Sequence, residues 1–176
     1  MRWGLIPNWA DDPAIGHRLI NARSETAGDK RAFRDSLRHR RCVVAADGFY
    51  EWQKVRGGKQ AYLLRLSRGV PFGFAGLWDR WCGLRGQAFE TFTILTTVAN
   101  ELLKPIHPRM PVILDQQQRE AWLSPGADAR ALDVLCTPYP SVAMEAFPVG
   151  NYVNDPAHDS VRCLQAVPLP DRSTLF

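Results

Sequence analysis

The chain has 176 residues, of which 45% are hydrophobic and 23% charged, a composition typical of one globular domain and not of a disordered segment. The formal net charge of +4 permits binding to a polyanion without requiring it. No apolar run approaches the roughly 18 residues of a membrane span, and the first residues lack a signal peptide, so we expect a cytoplasmic protein without a membrane partner. The four cysteines include no C-x-x-C pair, so we expect reduced thiols and neither a zinc knuckle nor a disulfide framework.

Segments rich in Val, Ile, Phe, Tyr and Trp dominate the first hundred residues, and turn signals such as Asp47-Gly48 and Gly57-Gly58 separate them. The predicted strands are Trp3–Ile6, Arg18–Ala22, Cys42–Ala46, Phe49–Val55, Ala61–Leu66, Phe72–Trp78 and Phe89–Thr96. A hairpin over residues 49–66 is indicated most clearly, because Gly57-Gly58 can supply a positive φ between two strand-like runs.

Helical signals interrupt and follow these strands. Asp115 is a predicted N-cap for a helix through Leu123, with Gln118 completing a capping box. Further helical segments are predicted at Lys30–Arg38, Val98–Leu103 and Ala127–Leu135, and further strands at Met110–Leu114 and Val142–Phe147. We expect a single domain over residues 1–176 of the α+β class, a curved β-sheet or barrel decorated by helices, with a loose tail after about residue 167.

Three short polar segments, residues 19–23, 45–52 and 106–111, lie in apolar surroundings. Their central polar residues are Asn21, Glu51 and His107. A buried polar group costs about 1 to 3 kcal/mol unless it is partnered, so we expect these three side chains to be buried for a functional reason.

Strand alternation places Glu51 on the same face of its strand as Phe49. If that face points inward, desolvation raises the pKa of Glu51 and makes it a candidate general acid or base; the alternative is the solvent face of an edge strand. Asp47 lies about 13 Å away along a regular strand, whereas paired glycosidase carboxylates are about 5 to 9.5 Å apart. This spacing also counts against a metal-dependent nuclease, and Asp47 is expected to serve the turn.

His107 lies between two prolines in a predicted rigid loop, a position that favours function, although a structural, hydrogen-bonded His is the common alternative. Asn21 offers a donor and an acceptor to a sugar or phosphate, or caps a strand end. No two histidines have metal-ligand spacing, so no metal site is expected.

Arg23 and Arg109 each follow one of these residues by two positions, so each could share a strand face with it and bind a phosphate bidentately. Trp9, like Trp3 and Trp52, could stack on the bases of a single strand or pack in the core. Residues 34–41 carry four arginines and one acid, which fits a basic patch or a solvated helix face.

The chain resembles a known family in six ordered blocks of sequence. The blocks are Trp3-Gly4-Leu5-Ile6-Pro7-x-Trp9, Asn21-Ala22-Arg23-Ser24-Glu25-Thr26, Arg41-Cys42-Val43-Val44-x-Ala46-Asp47-Gly48-Phe49-Tyr50-Glu51-Trp52, Gly76-Leu77-Trp78, Phe92-Thr93-Ile94-Leu95-Thr96-Thr97-x-Ala99-Asn100 and His107-x-Arg109-Met110-Pro111. Together they resemble the SOS response-associated peptidase (SRAP) family, also called abasic site processing proteins.

The resemblance implies an enzyme of the peptidase, hydrolase and DNA lyase type that acts in the DNA damage response. Its partner would be single-stranded DNA containing abasic sites, and no metal or other cofactor is expected. Family members expose an N-terminal cysteine by autoproteolysis, and its amine and thiol close a thiazolidine with the aldehyde of the abasic site, giving a covalent protein-DNA cross-link.

The resemblance also implies a role for each candidate residue. Asn21 would position the N-terminal residue or the opened sugar, and Glu51 would transfer protons during ring opening and self-cleavage. His107 would act as acid or base at the Schiff base. Arg23 and Arg109 would hold flanking phosphates, and Trp9 would lie near the displaced bases.

One part of the family pattern is missing from this sequence. The family's Met-Cys-Gly-Arg start is absent, and none of the four cysteines lies near residue 1. We therefore expect an N-terminally shortened or degenerate copy, monomeric and without the nucleophile. The alternative is a single-stranded DNA binding module without chemistry.

Overall fold

The computed structural model describes residues 1–83 and 86–168. The strands are β1 (Arg2–Trp3), β2 (Asn21–Arg23), β3 (Arg41–Ala46), β4 (Phe49–Val55), β5 (Gly58–Leu66), β6 (Phe72–Cys82), β7 (Ala88–Val98), β8 (Arg109–Pro111), β9 (Ile113–Leu114) and β10 (Met144–Val149). The α-helices are α1 (Ser24–Ala27), α2 (Arg34–His39), α3 (Gln116–Leu123) and α4 (Ala129–Leu135). Within the described part of the chain, no helix is long and apolar enough to cross a lipid bilayer.

The chain folds into two compact units. The first comprises Met1–Ala46, Phe72–Val98 and Arg109–Tyr139, and the second comprises Asp47–Pro71, Ala99–Pro108 and the chain from Pro140 onward. A seven-stranded sheet forms in the first unit and a three-stranded sheet in the second. The α+β class is therefore confirmed, and the described strands form two open sheets rather than one closed barrel.

β7 organises the sheet of the first unit, because four strands pair with it. β1 and β2 lie parallel along one edge, opposite Thr91 to Thr96. β6 and β8 lie antiparallel along the other edge. β3 and β9 extend the sheet by pairing with β6.

Helices cover the core of the first unit. α3 begins as the sequence predicts, with Asp115 accepting from the Gln118 backbone N–H and the Gln118 side chain accepting from the Asp115 backbone N–H. The helix carries Trp122 into the core, where the ring is fully buried and its Nε1 donates to the Cys42 carbonyl at 2.9 Å. Burying an indole of this size while pairing its N–H stabilises the packing of α3 on β3.

The second unit is built on the predicted hairpin. β5 pairs with β4 on one side and with β10 on the other. Gly57 takes a φ of +86° in the two-residue turn between Val55 and Gly58, as the glycine pair predicts. Ala61, Leu63 and Val149 form a small buried cluster on the face that carries Tyr50 and Trp52.

Several predicted elements have other bounds in the structure: the predicted strand Trp3–Ile6 is the short β1, and the predicted helix Lys30–Arg38 begins only at Arg34. Two further predictions differ more. The predicted strand Arg18–Ala22 is wrong in part: Pro13–Arg18 is a 3-10 helix capped by Asp12, and the strand begins only at Asn21. The predicted helical turn Val98–Leu103 is also wrong in part: Val98 still belongs to β7, and the turns over residues 101–106 include one helical bond, from the Lys104 N–H to the Asn100 carbonyl. Pro105 has no amide hydrogen and restricts the residue before it, which prevents this turn from continuing into a helix.

Most of the predicted loose tail, residues 169–176, lies outside the described residues. Ala166 forms a bridge with Val149, and the Val167 backbone N–H donates to the Pro148 carbonyl at 2.9 Å. The chain is therefore still attached to β10 at these positions.

Gly4 occupies a position that only glycine tolerates. Its φ is +109°, and a Cβ atom there would lie 2.6 Å from the carbonyl oxygen of Gly16. The Gly4 N–H donates to the Phe92 carbonyl of β7. The backbone that follows β1 therefore contacts both β7 and the 3-10 helix at Gly4.

Gly4→Ala is expected to lower the free energy of unfolding by about 2 kcal/mol or more, because it combines a left-handed φ with a backbone clash. Urea denaturation measures the loss. Gly57→Ala is the matched control, since its φ is +86° but a Cβ added there would have no neighbour within 4 Å. Equal losses in the two variants would show that the close approach to Gly16 does not matter.

Candidate functional site

Glu51 and His107 form the centre of the candidate site in the second unit. Their Oε1 and Nδ1 atoms lie 3.7 Å apart. The side chain of Glu51 is 22% exposed and that of His107 is 42% exposed. This separation exceeds the hydrogen-bond distance of about 2.6 to 3.2 Å, so direct proton transfer needs a small movement of either side chain, and the exposure of His107 leaves room for a ligand.

Burial raises the pKa of Glu51, while the nearby His107 and the Trp52 backbone N–H oppose that rise. This is the direction that the sequence predicted for an inward-facing carboxyl. A raised pKa brings the protonated and ionised forms of Glu51 closer in population near neutral pH, which is what a group that both gives and takes protons needs.

A closed loop in the second unit holds His107 in place. The Ala99 backbone N–H donates to the Pro108 carbonyl at 3.0 Å, which joins the two ends of the loop. Inside it, the His107 N–H donates to the carbonyl of Leu103, a fully buried residue. The Asn100 side chain accepts from the Leu103 N–H at 3.0 Å. His107 therefore lies on a loop with several internal anchors.

Gln53 attaches this loop to the strand that carries Glu51. Because side chains alternate along β4, Gln53 and Glu51 share a face. The Gln53 Nε2 donates to the Pro105 carbonyl at 2.9 Å, and its Oε1 accepts from the Tyr62 hydroxyl at 3.2 Å. The separation of Glu51 and His107 therefore depends on Gln53 and Tyr62 as well as on the loop.

Asn21 and Arg23 lie on β2 of the first unit, with their side chains on one face and Ala22 buried on the other. The predicted shared face is confirmed. The predicted burial of Asn21 is wrong, because it opens a three-residue strand and is exposed. Of the three central polar residues, Glu51 is the most enclosed, so the cost of burying a polar group applies mainly to that residue.

Arg109 opens β8 and belongs to a network within the first unit. Its guanidinium donates to both carboxylate oxygens of Glu25, at 2.7 and 2.9 Å, and also to the Thr96 carbonyl. This pairing lowers the pKa of Glu25, with a smaller contribution from Arg23. The predicted shared strand face of His107 and Arg109 is wrong, since His107 precedes the strand and lies in a loop.

Trp9 is 40% exposed, and the guanidinium carbon of Arg31 lies 4.2 Å from its ring centroid. Trp3 is half-exposed and donates to the Ile20 carbonyl, while Trp52 donates to the Asn154 side chain. Of these three indoles, Trp9 is the one stacked against a cation.

Sequence reasoning grouped Asn21 with Glu51 and His107 as catalytic candidates, and it grouped Arg23, Arg109 and Trp9 as DNA-binding candidates. Of the first group, the structure places Glu51 and His107 3.7 Å apart. It missed Glu25 as the partner of Arg109, although Glu25 follows Arg23 by two residues in the same sequence block. The sequence indicated Gln53 only weakly, because a residue two positions after Glu51 shares its strand face. The sequence did not indicate Tyr62, because its position opposite Glu51 depends on the register of β4 and β5.

Comparisons with known proteins agree over most of the chain. The sequence model of the SOS response associated peptidase (SRAP) family matches residues 1–156. The chain is 42% identical over 168 residues to the abasic site processing protein YoaM of Bacillus subtilis (strain 168), covering 94% of this chain and 74% of that protein. It is 34% identical over 193 residues to the abasic site processing protein HMCES of Gallus gallus, covering 96% of this chain and 57% of that protein.

The fold has a solved relative as well. A crystal structure of a protein from Bacteroides thetaiotaomicron aligns with a TM-score of 0.87 at 31% identity, over 94% of this chain and 75% of that one. The resemblance drawn from the six sequence blocks is therefore confirmed.

The raised pKa of Glu51 makes stability depend on pH in a defined direction. The folded state binds this proton more tightly than the unfolded chain, whose Glu pKa is about 4.5. The contribution of Glu51 to stability is therefore complete below the unfolded pKa and is lost as the pH rises through the folded pKa. We expect Glu51→Gln to gain stability relative to the parent protein as the pH rises from about 4 to about 8.

Urea denaturation across that pH range measures this difference. Glu101→Gln is the control, because that side chain is 84% exposed in the same unit. Parallel pH profiles for Glu51→Gln and the parent protein would contradict the raised pKa.

Proposed function

This chain belongs to the SOS response associated peptidase (SRAP) family, and we propose that it acts on abasic sites in single-stranded DNA through proton transfer by Glu51 and His107. The 3.7 Å contact between these two side chains is the observation that carries the proposal. The names of the relatives, which are abasic site processing proteins, support the choice of substrate.

The chemistry of an abasic site explains why such a pair is useful. The sugar is a cyclic hemiacetal, and it becomes reactive only when the C1′–O4′ bond breaks to give an aldehyde. That step removes a proton from the C1′ hydroxyl and adds one to O4′. Glu51, with its raised pKa, is suited to both transfers, and the half-exposed His107 can pass protons onward.

The remaining residues would bind and orient the strand. Asn21 and Arg23 present exposed polar side chains from one face of β2. Arg109 would contact a flanking phosphate, which requires that the phosphate compete with Glu25 for its guanidinium. Trp9 would lie beside the bases.

The cysteines bear on whether a covalent product forms. Burial raises the pKa of Cys42 to about 11 and that of Cys136 to about 12, so both thiols stay protonated at neutral pH. Cys163 is buried and donates to the His158 carbonyl, which leaves Cys82 as the exposed thiol. A thiazolidine needs a reactive thiol beside an amine, which the protonated Cys42 and Cys136 and the buried Cys163 do not offer. The second candidate function is strand binding without a cross-link.

The two candidates differ in one experiment. An abasic oligonucleotide is incubated with the 176-residue chain and with a version extended by a segment that begins Met-Cys-Gly-Arg. A denaturation-resistant band in the extended version only is expected, because the extension supplies the nucleophile. Reversible binding with no band in either version would establish the binding module instead.

In the extended protein, Glu51→Gln is expected to slow cross-linking by about 100-fold or more while strand affinity stays within about twofold, as for the loss of a general acid or base. Gel analysis of the covalent product against time gives the rate, and fluorescence anisotropy gives the affinity. Glu101→Gln is the control. An equal loss of rate and affinity would assign Glu51 a structural role.

Arg109 and Glu25 test the phosphate contact. Arg109→Ala is expected to weaken binding to any single strand and to reduce the slope of log affinity against log salt by about 0.7, the value for one phosphate contact. Glu25→Gln should tighten binding, because it removes the carboxylate that occupies the guanidinium. If both variants lose thermal stability but bind as the parent protein does, the ion pair is purely structural.

A further inference from the structure

The loop that carries His107 crosses one face of the three-stranded sheet and contacts both of its outer strands. We call residues 99–108 the His107 loop. Near its start the Asn100 Nδ2 donates to the sulfur of Met144 on β10 at 3.4 Å. Near its end the Pro105 carbonyl accepts from the Gln53 side chain of β4 at 2.9 Å. Strand register places Met144 and Gln53 on the same face of the sheet, so the loop is attached at two sides of that face.

The two attachments differ in burial. Asn100 and Met144 are both buried, so the first half of the His107 loop is fixed by packing as well as by the hydrogen bond. Gln53 is only half-buried, and it holds Pro105, which lies two residues before His107. The position of the imidazole therefore depends on the less buried of the two attachments.

The orientation of the Gln53 amide follows from its two partners. The Pro105 carbonyl can only accept a hydrogen bond, so the amide NH2 group must face it. The amide oxygen then faces the Tyr62 hydroxyl, which donates to it at 3.2 Å. A flipped amide would place two oxygen atoms against each other at Pro105. Tyr62 thus holds the amide of Gln53 in the orientation that binds the His107 loop.

A small displacement of His107 has a large effect on proton transfer. At 3.7 Å, its Nδ1 lies about half an ångström outside hydrogen-bond range of the Glu51 carboxylate. A movement of that size toward Glu51 brings the two groups into range, whereas a movement away separates them further. A misplacement of about 1 Å can cost a reaction up to about a hundredfold in rate. An attachment that limits movement away from Glu51 therefore affects the rate.

We propose that Gln53 is a positioning residue for the Glu51–His107 pair, that it acts through the Pro105 carbonyl, and that Tyr62 acts through Gln53. This inference rests on the proposed function for the reaction that the pair performs. Gln53 and Tyr62 set the position of the imidazole and take no part in the proton transfer itself. The rate of the reaction depends on them, and the affinity for the strand does not.

The first test measures the coupling between Glu51 and His107 in the 176-residue chain without DNA. NMR of isotope-labelled glutamate side chains against pH follows Glu51, whose signal is identified by its loss in E51Q. Because the charge of His107 lowers the pKa of Glu51, H107Q is expected to raise that pKa. In a Q53M background, where a side chain of similar length has no amide, H107Q should raise it by about half as much or less. An undiminished effect of H107Q would overturn the proposal.

Q60M is the matched control for Q53M. Gln60 lies directly opposite Gln53 on β5, and its Nε2 donates to the carbonyls of Ala61 and Val149. The variant therefore removes hydrogen bonds from the same sheet and leaves the contact with Pro105 in place. The coupling between the carboxyl and the imidazole is expected to stay as in the parent protein. An equal loss of coupling in Q60M and Q53M would mean that Gln53 only stabilises the sheet.

Y62F tests the order in which the two side chains act. It is expected to weaken the coupling in the parent protein, because the Gln53 amide loses the partner of its oxygen. In the Q53M background, Y62F should have no further effect, since the amide through which it acts is gone. Equal effects of Y62F in the two backgrounds would show that Tyr62 acts independently of Gln53.

The second test measures the reaction in the extended protein that begins Met-Cys-Gly-Arg. Q53M is expected to slow cross-linking to an abasic oligonucleotide by about tenfold, while strand affinity stays within about twofold. Q53N should behave in the same way, because its amide is one methylene too short for Pro105, and Q60M should change neither quantity. Urea denaturation shows that each variant is folded. Equal losses of rate and affinity in both Gln53 variants would contradict a positioning role.

The outcome is separable from that of the proposed function. If Q53M weakens the coupling while no version of the chain acts on abasic sites, only the abasic chemistry is wrong. If the extended protein cross-links abasic DNA and Q53M leaves both the coupling and the rate unchanged, only the role of Gln53 is wrong.

Discussion

The pairing of β7 is the constraint on which the first unit depends. Each edge of a strand offers one set of hydrogen-bonding groups, and β7 divides its two edges among four partners. The position of Asn21 is set by its register with Ile94, and that of Arg109 by its register with Val98. Backbone register thus sets the positions of these polar residues, and their side-chain contacts adjust those positions.

In the second unit, the Glu51 carboxyl is partly buried and can still gain and lose a proton. Desolvation opposes the ionised form of Glu51, and the imidazole of His107 partly restores it. That balance requires a fixed distance between Glu51 and His107, and the loop that joins Ala99 to Pro108 fixes it. Two neutral side chains, Gln53 and Tyr62, connect the loop to the hairpin without adding a charge that would disturb the balance.

Local signals in the sequence predicted local structure well. The hairpin around Gly57 and the capping box of α3 are encoded by adjacent residues, and β4 has the predicted bounds. The direction of the Glu51 pKa followed from one of the two alternatives that strand alternation left open, the inward-facing one. The exposure of Asn21 and the pairing of Arg109 with Glu25 could not be predicted in the same way. Arg109 and Glu25 are 84 positions apart, and an ion pair between distant residues leaves no periodic or turn signature. The number of charges likewise could not predict which arginines of residues 34–41 make structural contacts, as Arg40 and Arg41 do.

The partial burial of Cys42 and Cys136 also lowers the reactivity of these two thiols. With pKa values of about 11 and about 12, fewer than about one thiol in a thousand is ionised near neutral pH. Oxidants and alkylating agents react with the thiolate, and these same agents damage DNA bases. Cys42 and Cys136, which are partly buried and stay protonated, therefore react slowly with the same agents that create the proposed substrate.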